Sequence, residues 1–237
     1  MSYPNLYRSV AHSDTIVFYD VEATQFSKKL ISFGMVVIKK KRDSFEMEKV
    51  DEFFTLIKQD EDVEIGHYVE ELTGIHKSDL EKGMPVVKFV EELNRRLENY
   101  SRICFISYGD LDKTVLKSTI QDVNSFIYRK DTRFFDFHSY LKKNLANEKG
   151  GTYSISSLIS LFGLNENDYA FHNPLADSKA LFDIFSYYVN NEDKIRKIIT
   201  KTYDRNPYLK KALLKNPNME VIYKNLWKLL NIQMVVF

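Results

Sequence analysis

The chain has 237 residues, 44% of them hydrophobic and 14% aromatic, with a formal net charge of +1; this is enough apolar matter for the core of one medium-sized domain, and it excludes a disordered chain. A single cysteine, Cys104, excludes an internal disulfide, and no Cys/His cluster points to structural zinc. No apolar run approaches the roughly 20 residues of a membrane span, and the polar first 14 residues carry no apolar signal core, so a soluble cytoplasmic protein with no membrane partner is expected.

In chain order, residues 15–21 are apolar and β-branched and read as a strand. Residues 30–38 form a second strand, and 45–57 contain a third. The links 23–29 and 39–44 are short, which predicts a run of antiparallel strands. Over 85–97, Val86, Phe89, Val90, Leu93 and Leu97 recur at helical spacing. Residues 103–107 give another strand, with Cys104 as a small core residue in it. A helix over 111–123, a short strand over 133–136 and a helix over 137–145 follow. Gly150-Gly151 marks a loop. Residues 154–162 read as a short helix ended by Gly163, and 174–189 as a strong one. The remainder is helical, with breaks near Asn206-Pro207 and Asn216-Pro217; around Trp227, Leu226, Leu229 and Leu230 give it an apolar face, and the apolar end 234–237 is expected to bury. This order predicts an α/β fold, a mixed sheet flanked by helices. The expected division is a domain over 1–189 and a helical extension over 190–237 packed on it.

Charge is unevenly spread. Residues 190–237 hold ten Lys/Arg against four Asp/Glu, a surplus of +6, so the rest of the chain carries −5. An acidic body with a basic tail suits a carboxylate-rich metal site beside a surface for a polyanion.

Three short segments carry candidate chemistry. Asp20-Val21-Glu22 ends the first strand, where residues two apart share a face; Ile16, Phe18, Asp20 and Glu22 therefore lie on one side. Two carboxylates there repel each other, and burial penalises both. A divalent cation between them removes that penalty, and hard oxygen ligands favour Mg²⁺ or Mn²⁺. The bland alternative is a strand running out into solvent. Next, Asp112 falls on the stripe of Val115, Leu116 and Ile120, while Asp110 is better placed as a helix N-cap. Finally, in His172-Asn173-Pro174-Leu175-Ala176-Asp177, Asn173 is placed to cap a helix with Pro174 at its first position. Asp177 then shares a face with Leu181, Ile184 and Tyr188, and His172 sits in the loop before it. His12, His67, His76 and His138 lack such company and read as structural.

Together these segments resemble the histidine subclass of the DEDD exonuclease superfamily: residues 16–24 (Ile-Val-Phe-Tyr-Asp-Val-Glu-Ala-Thr), 107–112 (Ser-Tyr-Gly-Asp-Leu-Asp) and 172–177. Glu71-Leu72-Thr73-Gly74-Ile75 looks like the Leu-Thr-Gly-Ile stretch common between the first two motifs of that family. The resemblance spans roughly residues 15–189. It implies a ribonuclease-H-like fold with a five-stranded mixed sheet whose first three strands are antiparallel. It implies a 3′→5′ exonuclease releasing nucleoside monophosphates, with two divalent cations (Mg²⁺ or Mn²⁺) held by Asp20, Glu22, Asp112 and Asp177, and His172 as general base. The expected partner is a nucleic-acid 3′ end, single-stranded, with a lean to RNA from Gly109-Asp110-Leu111-Asp112. Thr24 is a candidate for bonding the terminal sugar, and Phe26 and Ile75 for packing against the terminal bases. This chain departs from the family in having Gln25-Phe26 after Thr24 where Gly is frequent, and Tyr108-Gly109 where an asparagine is common. Two other readings stand beside this one. A phosphomonoesterase is suggested by Asp20-Val21-Glu22-Ala23-Thr24, but two strands follow where that fold needs a helix. The other is a non-catalytic nucleic-acid-binding module on the same fold.

Overall fold

The structure is a computed structural model that describes residues 10, 12–41, 46–121, 132–145, 147 and 151–205. It groups into two compact units, Met1–Tyr140 with Ser154–Tyr187, and Leu141–Tyr153 with Tyr188–Phe237.

The first unit is built on a five-stranded sheet in the order β3-β2-β1-β4-β5. β1 (Thr15–Ala23) pairs antiparallel with β2 (Leu30–Lys40), which pairs antiparallel with β3 (Met47–Leu56). On the other side β1 runs parallel to β4 (Ile103–Ser107), and β4 parallel to β5 (Arg133–Asp136). The sheet is thus mixed, with its first three strands antiparallel, as the short links of the sequence predict. Between the strands lie α1 (His67–Thr73), α2 (Lys77–Leu80), α3 (Val86–Leu97) and α4 (Asp110–Gln121). After β5 come α5 (Phe137–Asn144), α6 (Ile155–Phe162), α7 (Pro174–Asn190) and α8 (Glu192–Arg205).

Strand alternation sends successive side chains to opposite faces. Val17, Tyr19 and Val21 of β1 join Phe33, Met35 and Val37 of β2 in a core closed by Phe89 and Leu93 of α3 and by Val115, Leu116 and Ile120 of α4. Phe18 points the other way, its ring 5.4 Å from Phe182 and 5.2 Å from Phe185 of α7. The edge strand shows the same division in its charges. Asp51 accepts both of its short ion-pair contacts from Arg96 of α3, while its neighbour Glu52 pairs with Lys179 of α7 at 2.8 Å. Cys104 is fully buried in β4, and burial pushes its thiol up to about 12.

Two short helices, α1 and α2, fall where the sequence offered only the Leu-Thr-Gly-Ile stretch. They are too short to show a helical period, and they are held by a separate cluster of Ile31, Ile65, Val69, Ile75 and Leu80. Gly74 ends α1 in the left-handed conformation (φ 68), and its N–H bonds the Glu70 carbonyl, a C-terminal cap that glycine adopts without a side-chain clash. Asp110 is corrected by one position: it is the first residue of α4 and not the residue before it, a difference of the size at which helix ends are defined. The expected breaks near residues 206–207 and 216–217, the apolar face around Trp227 and the apolar end 234–237 lie outside the described residues. No helix among the described residues is long and apolar enough to cross a membrane.

Candidate active site

The site forms where β1 leaves the core. Asp20 and Glu22 lie on the α7 face of the strand, paired in register with Gly34 and Ser32 of β2. Asp177 comes from the first turn of α7. That turn is well defined by its own sequence, since the Asn173 side-chain oxygen accepts from the N–H groups of Leu175 (3.0 Å) and Ala176 (3.2 Å). An N-cap of this kind is worth about 1 kcal/mol, and Pro174 at the first helical position has no N–H to satisfy. The helix therefore starts at a fixed residue, which fixes where Asp177 falls.

Carboxylate oxygens of Asp20, Glu22 and Asp177 lie within 4.8 Å of one another. Asp177 is 8% exposed. Gathering acids in a poorly solvated place makes their ionised forms costly. Burial, followed by the charges of Asp112, Asp177 and Glu22, pushes Asp20 well above the usual carboxylate range. Burial, with Asp177 and Asp112, pushes Glu22 up to about 7. Burial pushes Asp177 up to about 6, against the opposing effect of a hydrogen bond from the His172 N–H and of the His172 charge.

Asp112 approaches from the other side of the sheet, on α4. It stands outside the trio that can share one ion, yet its charge is the largest acting on Asp20. Burial and then the charges of Asp136 and Asp177 push it up to about 7. His172 precedes α7 in the left-handed conformation (φ 66), which is uncommon for a side-chain-bearing residue though less so for histidine. Its backbone N–H donates to Asp177 at 3.0 Å, and its side chain is exposed. All five residues of the sequence pattern thus converge on one end of the sheet.

The candidate substrate contacts are placed differently. Phe26 is 73% exposed at the tip of the loop after β1. Thr24 is 0% exposed, and its hydroxyl accepts from the Lys29 N–H at 2.9 Å and shares a bond with the Ser27 hydroxyl. Ile75 is 9% exposed within the cluster that holds α1 and α2. As they stand, Thr24 and Ile75 shape the loop and helix beside the site, and Phe26 alone of the three presents its side chain to solvent.

Sequence reasoning missed Asp136. It ends β5 as Asp20 lies near the end of β1, and its charge is the leading one on Asp112. It also accepts from the Ser139 N–H at 3.1 Å at the start of α5. An acid closing an apolar strand was the available signal, but the strand has only four residues. Ser32 was missed as well. It is fully buried across from Glu22, and its hydroxyl has no hydrogen-bond partner among the described residues. Tyr108, which stands where the family has asparagine, packs edge-on against His138 with ring centroids 5.2 Å apart.

Comparison with known proteins gives a consistent result. A family model described as exonuclease, RNase T, matches residues 17–185. Among solved structures, a full-length 3′-exonuclease superposes with a TM-score of 0.62 at 16% identity, covering 76% of this chain and 84% of that one. The nuclease domain of 3′hExo, a DEDDh family member bound to rAMP, gives 0.61 at 16% identity, over 76% and 94%. Exonuclease I of E. coli, in complex with a dT13 oligonucleotide, gives 0.63 at 15% identity, over 78% of this chain but 43% of that longer one. Among curated protein sequences nothing matches the chain.

Proposed function

Because the chain belongs to the exonuclease family, among the DEDD-superfamily 3′→5′ exonucleases with a ribonuclease-H-like fold, we propose that it is a two-metal-dependent hydrolase releasing nucleoside monophosphates from nucleic-acid 3′ ends. One observation carries the metal dependence: three carboxylates crowded within 4.8 Å, each pushed up by burial and, for Asp20 and Glu22, by its acidic neighbours. A set of hard oxygen donors that resist ionisation together fits small divalent cations, Mg²⁺ or Mn²⁺, which remove the repulsion. In this reading Asp20, Glu22 and Asp177, together with Asp112 beside them, would hold the cations. Bound there, the cations supply charge neutralisation at the phosphate and a more acidic water.

The chain's own groups do the rest. An imidazole nitrogen of His172 takes the proton of the attacking water, the part a positioned histidine plays as general base. The Asp177 carboxylate holds the loop that carries His172 through the backbone bond already described. Attack breaks the terminal P–O3′ bond, frees a nucleoside 5′-monophosphate and leaves a new 3′-hydroxyl. Phe26 stacks on a base near the 3′ end, a contact that is tolerant of sequence, while Thr24 and Ile75 support the surface around it. The substrate leans towards RNA and single strands: of the similar structures, one holds rAMP and another a dT13 oligonucleotide. We assign the catalysis to residues 1–189 and read 190–237 as a basic extension; the lone buried cysteine suits a cytoplasmic setting.

The test is a time course on matched RNA and DNA, labelled at either end, with Mg²⁺, Mn²⁺ or chelator. The reading requires immediate mononucleotide release from 3′-labelled strands and a ladder of shortening 5′-labelled ones, both abolished by chelator. Cutting of a strand whose 3′ end is blocked, or release that persists in chelator, overturns it.

A further inference from the structure

Gly34 lies across from Asp20 in the β1–β2 register, on the face where α7 packs. A methyl group built on Gly34 overlaps the Leu175 nitrogen and the Pro174 carbonyl carbon, and comes within 2.5 Å of the Pro174 oxygen. These are backbone atoms of the first turn of α7, so no change of rotamer relieves the overlap, and close-packed interiors transmit such a displacement. The same turn is fastened to the same residue. The Ser178 hydroxyl is fully buried and reaches the Gly34 carbonyl at 3.0 Å and the Pro174 carbonyl at 2.6 Å. Asp177, the next residue back, belongs to the turn held in this way.

We propose that Gly34 is a positioning residue for the metal site: by lacking a side chain it sets how deeply the first turn of α7 seats on β2, and so sets the gap between Asp177 and the Asp20–Glu22 pair. This rests on the two-metal reading above and adds a residue to it that bears no ligand atom. A lifted turn widens the carboxylate cage. Mg²⁺ demands near-ideal octahedral geometry with bonds of about 2.0–2.1 Å and suffers most from a wider cage, whereas the larger Mn²⁺ tolerates it better. The effect is therefore selective for the ion, which a general loss of stability is not.

The experiment compares wild type, Gly34→Ala, Ser178→Ala and a core control, Leu93→Ala, which is fully buried in α3. Two quantities are read: Mn²⁺ binding by electron paramagnetic resonance without substrate, and the half-activating concentrations of Mg²⁺ and Mn²⁺ on a 5′-labelled oligonucleotide. Gly34→Ala should weaken Mn²⁺ binding and raise half-activating Mg²⁺ by about tenfold or more, the usual cost of disturbing a metal site's supporting shell. Half-activating Mn²⁺ should rise less, so the Mn²⁺-to-Mg²⁺ activity ratio climbs. Ser178→Ala should move both readouts in the same sense by less, and Leu93→Ala should lower the thermal midpoint without moving the ratio. A folded Gly34→Ala protein with wild-type Mn²⁺ binding and a wild-type ratio overturns the inference. Should Gly34→Ala not fold, Ser178→Ala decides by the same readouts, and an unmoved ratio overturns the inference. A wild type that neither binds Mn²⁺ nor cleaves in a metal-dependent way sinks the proposed function itself, whereas an active, metal-dependent wild type with unmoved variants sinks this inference alone.

Discussion

The carboxylate cluster and the loop that follows Glu22 adjoin at the end of β1 and are built on opposite terms. Asp20, Glu22, Asp112 and Asp177 stand on a strand and two helices whose apolar faces are buried in the core. The loop from Thr24 to Lys29 is held mainly by its own hydrogen bonds, from Lys29 to the Thr24 hydroxyl and from the Lys28 amine to the Gln25 carbonyl. It turns at Lys28 in the left-handed conformation and leaves Phe26 in solvent. Groups that must meet within a few ångströms are placed by rigid elements, while a side chain that meets varied bases is left on an adaptable segment.

Substitutions at the two places should therefore differ in kind as well as size. Asp20→Ala or Asp177→Ala should abolish Mg²⁺-dependent mononucleotide release while circular dichroism reports a folded protein. Near-normal turnover in either variant would contradict the contrast at its root. His172→Ala should lower turnover by roughly 10²–10⁴-fold, the usual worth of a general base, with Mn²⁺ binding kept. Phe26→Ala should act on binding: loss of one stacked base, about 1–3 kcal/mol, raises KM for an oligonucleotide by about 5- to 150-fold and leaves kcat within a few-fold. A fall in kcat with unchanged KM would move Phe26 to the chemical side of the division.

The smallest effect is on stability, and its sign is set by the cluster. Glu22 and Asp112 are pushed to about 7 and Asp177 to about 6, against about 4 for such groups in an unfolded chain. Between those values the folded protein binds more protons than the unfolded one, so stability falls as pH rises. The thermal midpoint in chelator should accordingly drop from pH 4.5 to pH 7.5 by more in wild type than in Asp177→Ala, and Mg²⁺ added at pH 7.5 should recover it. A midpoint in chelator that instead climbs through this range would mean that the cluster does not govern the pH response.

What the sequence could reveal follows the same division. Alternation along an apolar strand is enough by itself to put Asp20 and Glu22 on one face, and Asn173-Pro174 sets the start of α7 and hence the phase of Asp177. Both are local rules acting over a few residues. Asp136 escapes them, because its effect on Asp112 depends on β5 pairing with β4 so that it falls beside Ser107, a relation across the sheet. Gly34 escapes for the same reason: nothing in residues 30–40 says that a helix about 140 residues later will lie against that position. The burial of Ile75 is likewise a tertiary outcome, decided by Ile31 and Ile65 packing under α1 and α2.

The raised thiol of Cys104 has a practical consequence. Burial keeps the thiol protonated at neutral pH, and it is the thiolate that reacts with alkylating reagents. The native protein thus offers maleimide dyes almost no background, and the chain has no second cysteine to remove. A cysteine introduced at the exposed position of Ser27 would accept a fluorophore by itself, one residue from Phe26, and report the arrival of a strand at the loop in real time.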